Sequence, residues 1–225
     1  RRKTAQILLN ETAPPGDILD VCCGTGDLTF AFQRRAVNRQ FYGIDFSEKM
    51  IDIARRKLAR TPLNRRLNFA TCDALELPFE DERFAVVAVA FGLRNVGDTQ
   101  RGLSEMVRVC KPGGTVGVLE FSMPVLPVVS QLYRFYFRRI LPLVGKFFSR
   151  SKDDAYRYLP ESVLEFDEPA ALRQRLEQLG LTSIQSVPFT FGIATLTFGY
   201  LSSTTTNRFT PRTEEAIDSM RTTSP

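Results

Sequence analysis

The 225-residue chain contains no histidine. That absence removes the commonest general base, the Ser-His and Cys-His hydrolases and most zinc sites together. Any base must then be a carboxylate, a tyrosine, a lysine or water. Cysteine is scarce, and the four present, Cys22, Cys23, Cys72 and Cys110, form no C-x-x-C pair or metal-ligand spacing. They read as small buried thiols of a reducing cytosol, and no metal is expected. There is no signal-peptide pattern and no uninterrupted apolar run of membrane-spanning length. A net charge of +5 and a pI near 9.2 are not gathered into a basic run with interleaved aromatics, which argues against a nucleic-acid partner. The 43% of hydrophobic residues suits one well-buried domain.

What is present begins with Asp20-Val-Cys-Cys-Gly24-Thr25-Gly26-Asp27, which follows an apolar run from Ile18 and leads into a helical pattern at Leu28, Phe30, Ala31 and Phe32. A strand thus runs into a glycine turn and then a helix. Gly24 and Gly26 let backbone pass close to a ligand, and the helix start points free N–H groups at whatever binds there. Phe41-Tyr-Gly-Ile-Asp45 predicts a second strand ending in an acid, where a carboxylate can accept hydrogen bonds from a ribose. The third glycine of a dinucleotide fingerprint is missing, its place taken by Thr29. Asp20 and Asp27 bracket the turn, and carboxylates there suit a cation better than a pyrophosphate. S-adenosylmethionine, with its ammonium and sulfonium, fits these residues better than NAD.

Further along, Ser47 is placed to cap a helix that carries Met50, Ile51, Ile53, Ala54 and Leu58 at helical spacing. Leu67–Thr71 predicts a short strand, and Phe84–Phe91 a strand buried on both faces. A helix from about Thr99 to Val109 is expected to stop at Cys110-Lys-Pro-Gly-Gly114, before a strand over Thr115–Phe121. Glu168–Leu179 reads as an amphipathic helix, followed by strands over Ile184–Phe191 and Ile193–Tyr200 joined at Gly192. This alternation predicts an α/β fold, a doubly wound, mostly parallel, seven-stranded sheet with ligands at the carboxyl ends of its strands. Asp20, Gly24, Asp45, Asp73, Phe91 and Glu120 all fall at such ends.

Asp73 can accept from an adenine amine, with the Ala74 N–H nearby, or can serve as a turn acid. Met50 is either an adenine-face contact or core. The stretch from Pro124 to Arg150 is dense in aromatic and apolar residues punctuated by arginines. It reads either as a cover for a greasy substrate or membrane surface, or as a helix packed on the sheet. The chain opens on Arg1-Arg-Lys already in a helical pattern, so residues upstream are expected. From Ser202 the chain is Ser/Thr-rich and is expected to be disordered, leaving one domain over 1–201 with an insertion at 124–166.

The glycine turn, Gly43-Ile-Asp-Phe-Ser-Glu-Lys-Met50, Asp73-Ala-Leu-Glu-Leu-Pro-Phe79 and Lys111-Pro-Gly-Gly114 together resemble a class I S-adenosylmethionine methyltransferase, a Rossmann-like fold. Phe91-Gly-Leu-Arg-Asn-Val96 and Asp153-Asp-Ala-Tyr-Arg-Tyr-Leu-Pro-Glu-Ser162 resemble the ubiquinone/menaquinone biosynthesis C-methyltransferase family, of UbiE or MenG type. The resemblance implies C-methylation of a polyprenyl quinol, most simply demethylmenaquinol to menaquinol, with a benzoquinol or a soluble phenol as alternatives. It implies S-adenosyl-L-methionine as cofactor, with contacts at Thr25, Asp45, Asp73, Ala74 and Ala90, to which the reading of the residues themselves adds Asp20, Gly24, Gly26 and Met50. It assigns Arg94 and Asn95 to catalysis. Tyr156 and Tyr158 are expected to line the ring pocket, and 124–166 to form a helical lid. A cytoplasmic enzyme with peripheral contact at the inner membrane face follows from such a substrate, with oligomeric state left open. Independently of the resemblance, Arg94 can instead pair with Asp98 to fix a loop.

Overall fold

The computed structural model describes residues 1–10, 13–36, 38–61, 66–124 and 169–202. The expected lid apart from Pro124, with Tyr156 and Tyr158, and the expected disordered tail apart from Ser202, lie outside them. In chain order the elements are α1 (Arg2–Leu8), β1 (Asp17–Val21), α2 (Asp27–Gln33), β2 (Phe41–Asp45), α3 (Glu48–Ala59), β3 (Leu67–Thr71), β4 (Phe84–Ala90), α4 (Thr99–Arg108), β5 (Cys110–Phe121), α5 (Pro169–Gln178), β6 (Leu181–Phe189) and β7 (Ala194–Leu201). Seven strands form one sheet in the order β3-β2-β1-β4-β5-β7-β6. Pairing is parallel from β3 through β5, and β7 runs antiparallel to both of its neighbours.

β4 shows why its run is continuously apolar. Val87 and Val89 pack on one face with Leu103 and Met106 of α4 and Leu172 and Leu176 of α5. Val86 and Ala88 pack on the other with Leu8 of α1, Phe32 of α2 and Ile51 of α3. Alternate side chains feed two hydrophobic layers, so Phe84 to Val89 are all buried and only Ala90, at the end of the strand, is partly open. Phe84 is wholly buried, edge-on to Phe79 at 4.9 Å and to Tyr42 at 5.5 Å. Truncating such a ring to alanine costs about 3–5 kcal/mol.

Three local details depart from the sequence reading. Cys110-Lys-Pro-Gly-Gly114 is not a turn ahead of β5; it lies within it. The register with β4 jumps from Phe84↔Cys110 to Val86↔Thr115, and Gly113 takes up the bulge with φ +75°. Ser47 stands at the start of α3 without a side-chain capping bond. Asp98 accepts from the Arg101 N–H at 3.0 Å and caps α4, and the ion pair that Arg94 makes is with Glu120 instead.

Candidate active site

A cavity of about 550 Å³ opens at the carboxyl ends of β1, β2 and β4. Its floor is the glycine turn. Gly24 (φ +55°) and Gly26 (φ +81°) both sit in the left-handed region, and among the described residues no atom beyond the two flanking residues lies within 4 Å of where a Cβ on Gly24 would stand. That clearance is what a close-lying ligand needs. Asp45 ends β2 and holds the turn from the side. One carboxylate oxygen accepts the Gly24 N–H at 2.8 Å and the other the Ser47 N–H at 2.9 Å. A carboxylate has about four acceptor positions, so two remain for hydroxyls of a bound nucleoside.

Thr25 lines the cavity and is pinned from behind by a residue that the sequence reading missed. Lys57 of α3 donates to the Thr25 hydroxyl at 2.7 Å, to its carbonyl at 3.1 Å and to Asp27 at 2.8 Å. Nothing local in the sequence marks Lys57, which reaches back some thirty residues.

Asp73 and Ala74 line the opposite wall. Asp73 is both a cavity residue and a turn acid, because one oxygen accepts the Leu75 N–H at 2.9 Å. The segment carrying it is fastened to α4 by Arg108, which donates to the carbonyls of Leu77 and Phe79 at 2.9 and 2.8 Å and to Asp81 and Glu105 at 2.7 Å. Met50 is 43% exposed and lines the cavity, while Ile51 and Ala54 beside it fill the core. Ala90 completes the wall at the end of β4, where Phe91 (φ +61°) turns the chain outward.

Asp20 and Gly26 lie behind the cavity wall. Asp20 is 1% exposed, and its Oδ2 accepts the Thr29 hydroxyl at 2.6 Å. Its Oδ1 is buried without a partner among the described residues. Gly26 makes room for a neighbour: a Cβ there would meet the Phe69 ring at 2.7 Å, and one on Gly43 would meet the same ring at 2.6 Å. Cys22, Cys23 and Cys72 line the cavity and are not core thiols like Cys110. Burial pushes the Cys22 and Cys72 thiols up to about 12, so they stay protonated and are poor nucleophiles.

Burial pushes the Asp20 carboxyl up to about 7, against the opposing bond from Thr29. The folded chain then holds this proton more tightly than the unfolded one, whose aspartates titrate near 3.9. The stability from this group is fully present below about pH 4 and is lost as pH rises towards 7, with a slope approaching about 1.4 kcal/mol per pH unit. Urea titrations across that window should show the slope in the parent protein and a flatter profile in Asp20→Asn. Equal slopes would mean that Asp20 is ionised in the fold.

Of the two residues expected to act on substrate, Asn95 lines the cavity and Arg94 does not. Both belong to a single 3-10 turn, Leu93–Asn95. The Arg94 guanidinium is buried, Nη1 donating to Glu120 Oε2 at 2.7 Å, and its carbon lies over the Phe121 ring at 5.2 Å. Burial raises the Glu120 carboxyl, and Arg94 opposes that rise.

The ubiE/COQ5 methyltransferase family matches residues 1–201. The ubiquinone/menaquinone biosynthesis C-methyltransferase UbiE of Geotalea daltonii is 41% identical over 188 residues, 83% of this chain and 79% of that protein. The demethylmenaquinone methyltransferase of Staphylococcus haemolyticus is 40% identical over 189 residues, 84% and 77% of the two chains. Among solved structures, a SAM-dependent methyltransferase of Aquifex aeolicus superimposes with a TM-score of 0.59 at 14% identity, covering 89% of this chain and 98% of its own. Magnesium protoporphyrin IX methyltransferase of Synechocystis with bound SAH gives 0.59 at 16%, covering 89% and 80%. At those identities the two structures speak to the fold alone, a class I methyltransferase sheet. With its glycine turn, Asp45 and cavity in place, the chain belongs to the ubiE/COQ5 methyltransferase family and is an S-adenosyl-L-methionine-dependent methyltransferase.

Proposed function

We propose that the chain methylates a ring carbon of a polyprenyl quinol, converting demethylmenaquinol to menaquinol. The observation that carries this reading is that Asn95, from Phe91-Gly-Leu-Arg-Asn-Val96, lines the same cavity as Gly24, Asp45 and Asp73. The residue string that points to quinol methylation therefore opens onto the cavity in which our reading puts the nucleoside. Gly24, Thr25, Asp45, Met50, Asp73, Ala74 and Ala90 would hold the cofactor by direct contact, with Asp20 and Gly26 shaping the turn from behind. Bound there, S-adenosylmethionine supplies a methyl group already activated by its sulfonium.

What the chain adds is orientation and charge. A quinol is nucleophilic at carbon once a ring hydroxyl ionises, and a cation near that oxygen lowers its pKa. Asn95, which lines the cavity, orients the ring oxygen or a water, and Arg94, paired with Glu120 outside the cavity lining, would supply the cation from behind it. Without histidine, the ring proton leaves to a carboxylate, a tyrosine or water. Much of the acceleration then comes from holding the two reactants in line. Among the described residues no helix is long and apolar enough to cross a membrane; in our reading a quinol from a bilayer is met by peripheral contact at the cytoplasmic face.

The test is mass-spectrometric detection of methyl transfer from labelled S-adenosylmethionine to demethylmenaquinol, with a demethylated benzoquinol and a soluble phenol in parallel. Gain on the naphthoquinol is the expected result. Gain on the soluble phenol alone would sink the lipid-quinol reading.

A further inference from the structure

Resting on that reading, we propose that Glu120 is a positioning residue for the methyl transfer, fixing the Arg94 guanidinium and with it the 3-10 turn that presents Asn95 to the cavity. Glu120 ends β5 at 3% exposure. It receives Arg94 twice, from Nη1 at 2.7 Å and from the backbone N–H, more weakly, at 3.4 Å. The Arg94 guanidinium carbon lies over the Phe121 ring at 5.2 Å, and Phe121 meets Phe91, a cavity residue, as a tilted ring pair at 4.6 Å. The cation is therefore held along one edge and across one face. Asn95 rides on the same 3-10 turn, so whatever anchors Arg94 also anchors the group that reaches the cavity.

Stability alone does not call for charges at this corner. A well-packed apolar pair often holds a buried site as well as an ion pair does. An oriented cation does call for them, because a flexible arginine would lose its geometry to rotamer freedom. Arg94 Nε is buried with no acceptor among the described residues. A native chain rarely leaves a buried donor unpaired without a functional constraint.

The experiment uses the whole chain with demethylmenaquinol and compares Glu120→Gln, Glu120→Asp, Arg94→Ala and the double variant Arg94→Ala/Glu120→Gln. Glu120→Gln keeps the shape and loses the charge. It should lower kcat by roughly 10- to 100-fold while cofactor Kd stays within about twofold and quinol KM moves less than kcat. Glu120→Asp should recover part of that loss. The double variant should melt above Arg94→Ala, because it no longer carries an uncompensated buried carboxylate, yet turn over no faster, so that the kcat losses are strongly non-additive. A kcat within about twofold of the parent in Glu120→Gln, beside a large loss in Arg94→Ala, would overturn the role of Glu120 and leave that of Arg94 standing. Full turnover in Arg94→Ala would instead overturn the catalytic reading of Arg94 itself. Should Glu120→Gln fail to fold, additive kcat losses measured with Glu120→Asp, Arg94→Ala and their double variant would overturn the proposal just as well.

Discussion

Replacing Asp45 by alanine is expected to weaken S-adenosylmethionine binding by roughly two to three orders of magnitude, about 3–4 kcal/mol. Two losses combine. The carboxylate would be the acceptor offered to the cofactor under the proposed reading, and it ties the glycine turn to the start of α3 through the Gly24 and Ser47 N–H groups at 2.8 and 2.9 Å. Alanine leaves both donors unpaired and releases the turn. Asp45→Asn should fall between, since an amide keeps one acceptor but presents N–H to a backbone N–H. Calorimetric titration with the cofactor measures the affinity, and a melt without cofactor separates loss of the ligand from loss of the turn. A Kd unchanged within about threefold would mean that the nucleoside lies elsewhere.

Gly92→Ala is expected to cost about 3 kcal/mol of stability, a drop in Tm of roughly 6–12 °C for a domain of this size. Gly92 has φ −123°, which any residue adopts, so its requirement is for space. A Cβ there would overlap the Cys22 Cβ, an atom fixed directly to backbone that cannot rotate away. Cys22 itself sits at φ +52°, a conformation suited to glycine. Cys22→Gly therefore removes both the clash and the strained angle. Cys22→Gly/Gly92→Ala should melt close to the parent protein, and thermal denaturation of the four proteins of that cycle is the check. Additive losses would show that the end of β1 and the 91–96 turn do not touch.

These two sites also show what a one-dimensional reading reaches. The strands over Phe41–Asp45 and Leu67–Thr71 match the predicted ranges residue for residue, and Phe84–Ala90 comes within one residue. A buried strand writes its period, or its lack of one, directly into neighbouring residues. The place of Asp45 at the strand end and in the cavity wall was legible because clefts form at the carboxyl ends of strands in a doubly wound sheet. Partners that the chain folds together from afar were not. Lys57 on Thr25, Glu120 on Arg94 and Cys22 against Gly92 are separated by 32, 26 and about seventy residues, and no local pattern encodes such pairings. The missing third glycine is the subtlest case. Thr29 takes its place and anchors Asp20, while the room comes from Gly43 on the next strand, where a Cβ would stand 3.0 Å from the Thr29 hydroxyl oxygen. The clearance was written one strand away from where the fingerprint looks for it.

The antiparallel β7, lodged between β5 and β6, bears on how the chain is made. β5 ends at Phe121, and the strand that covers its edge begins only at Ala194. On a ribosome adding about 5–20 residues per second, that edge stays bare for roughly 4–15 s after β5 emerges. A bare, flat, apolar strand edge is a template for wrong pairing. The nascent chain is therefore most exposed to misassembly and chaperone capture during this interval. Stalling before residue 194 should leave a parallel half-sheet open on one side, and release beyond residue 201 should close it in a single late step.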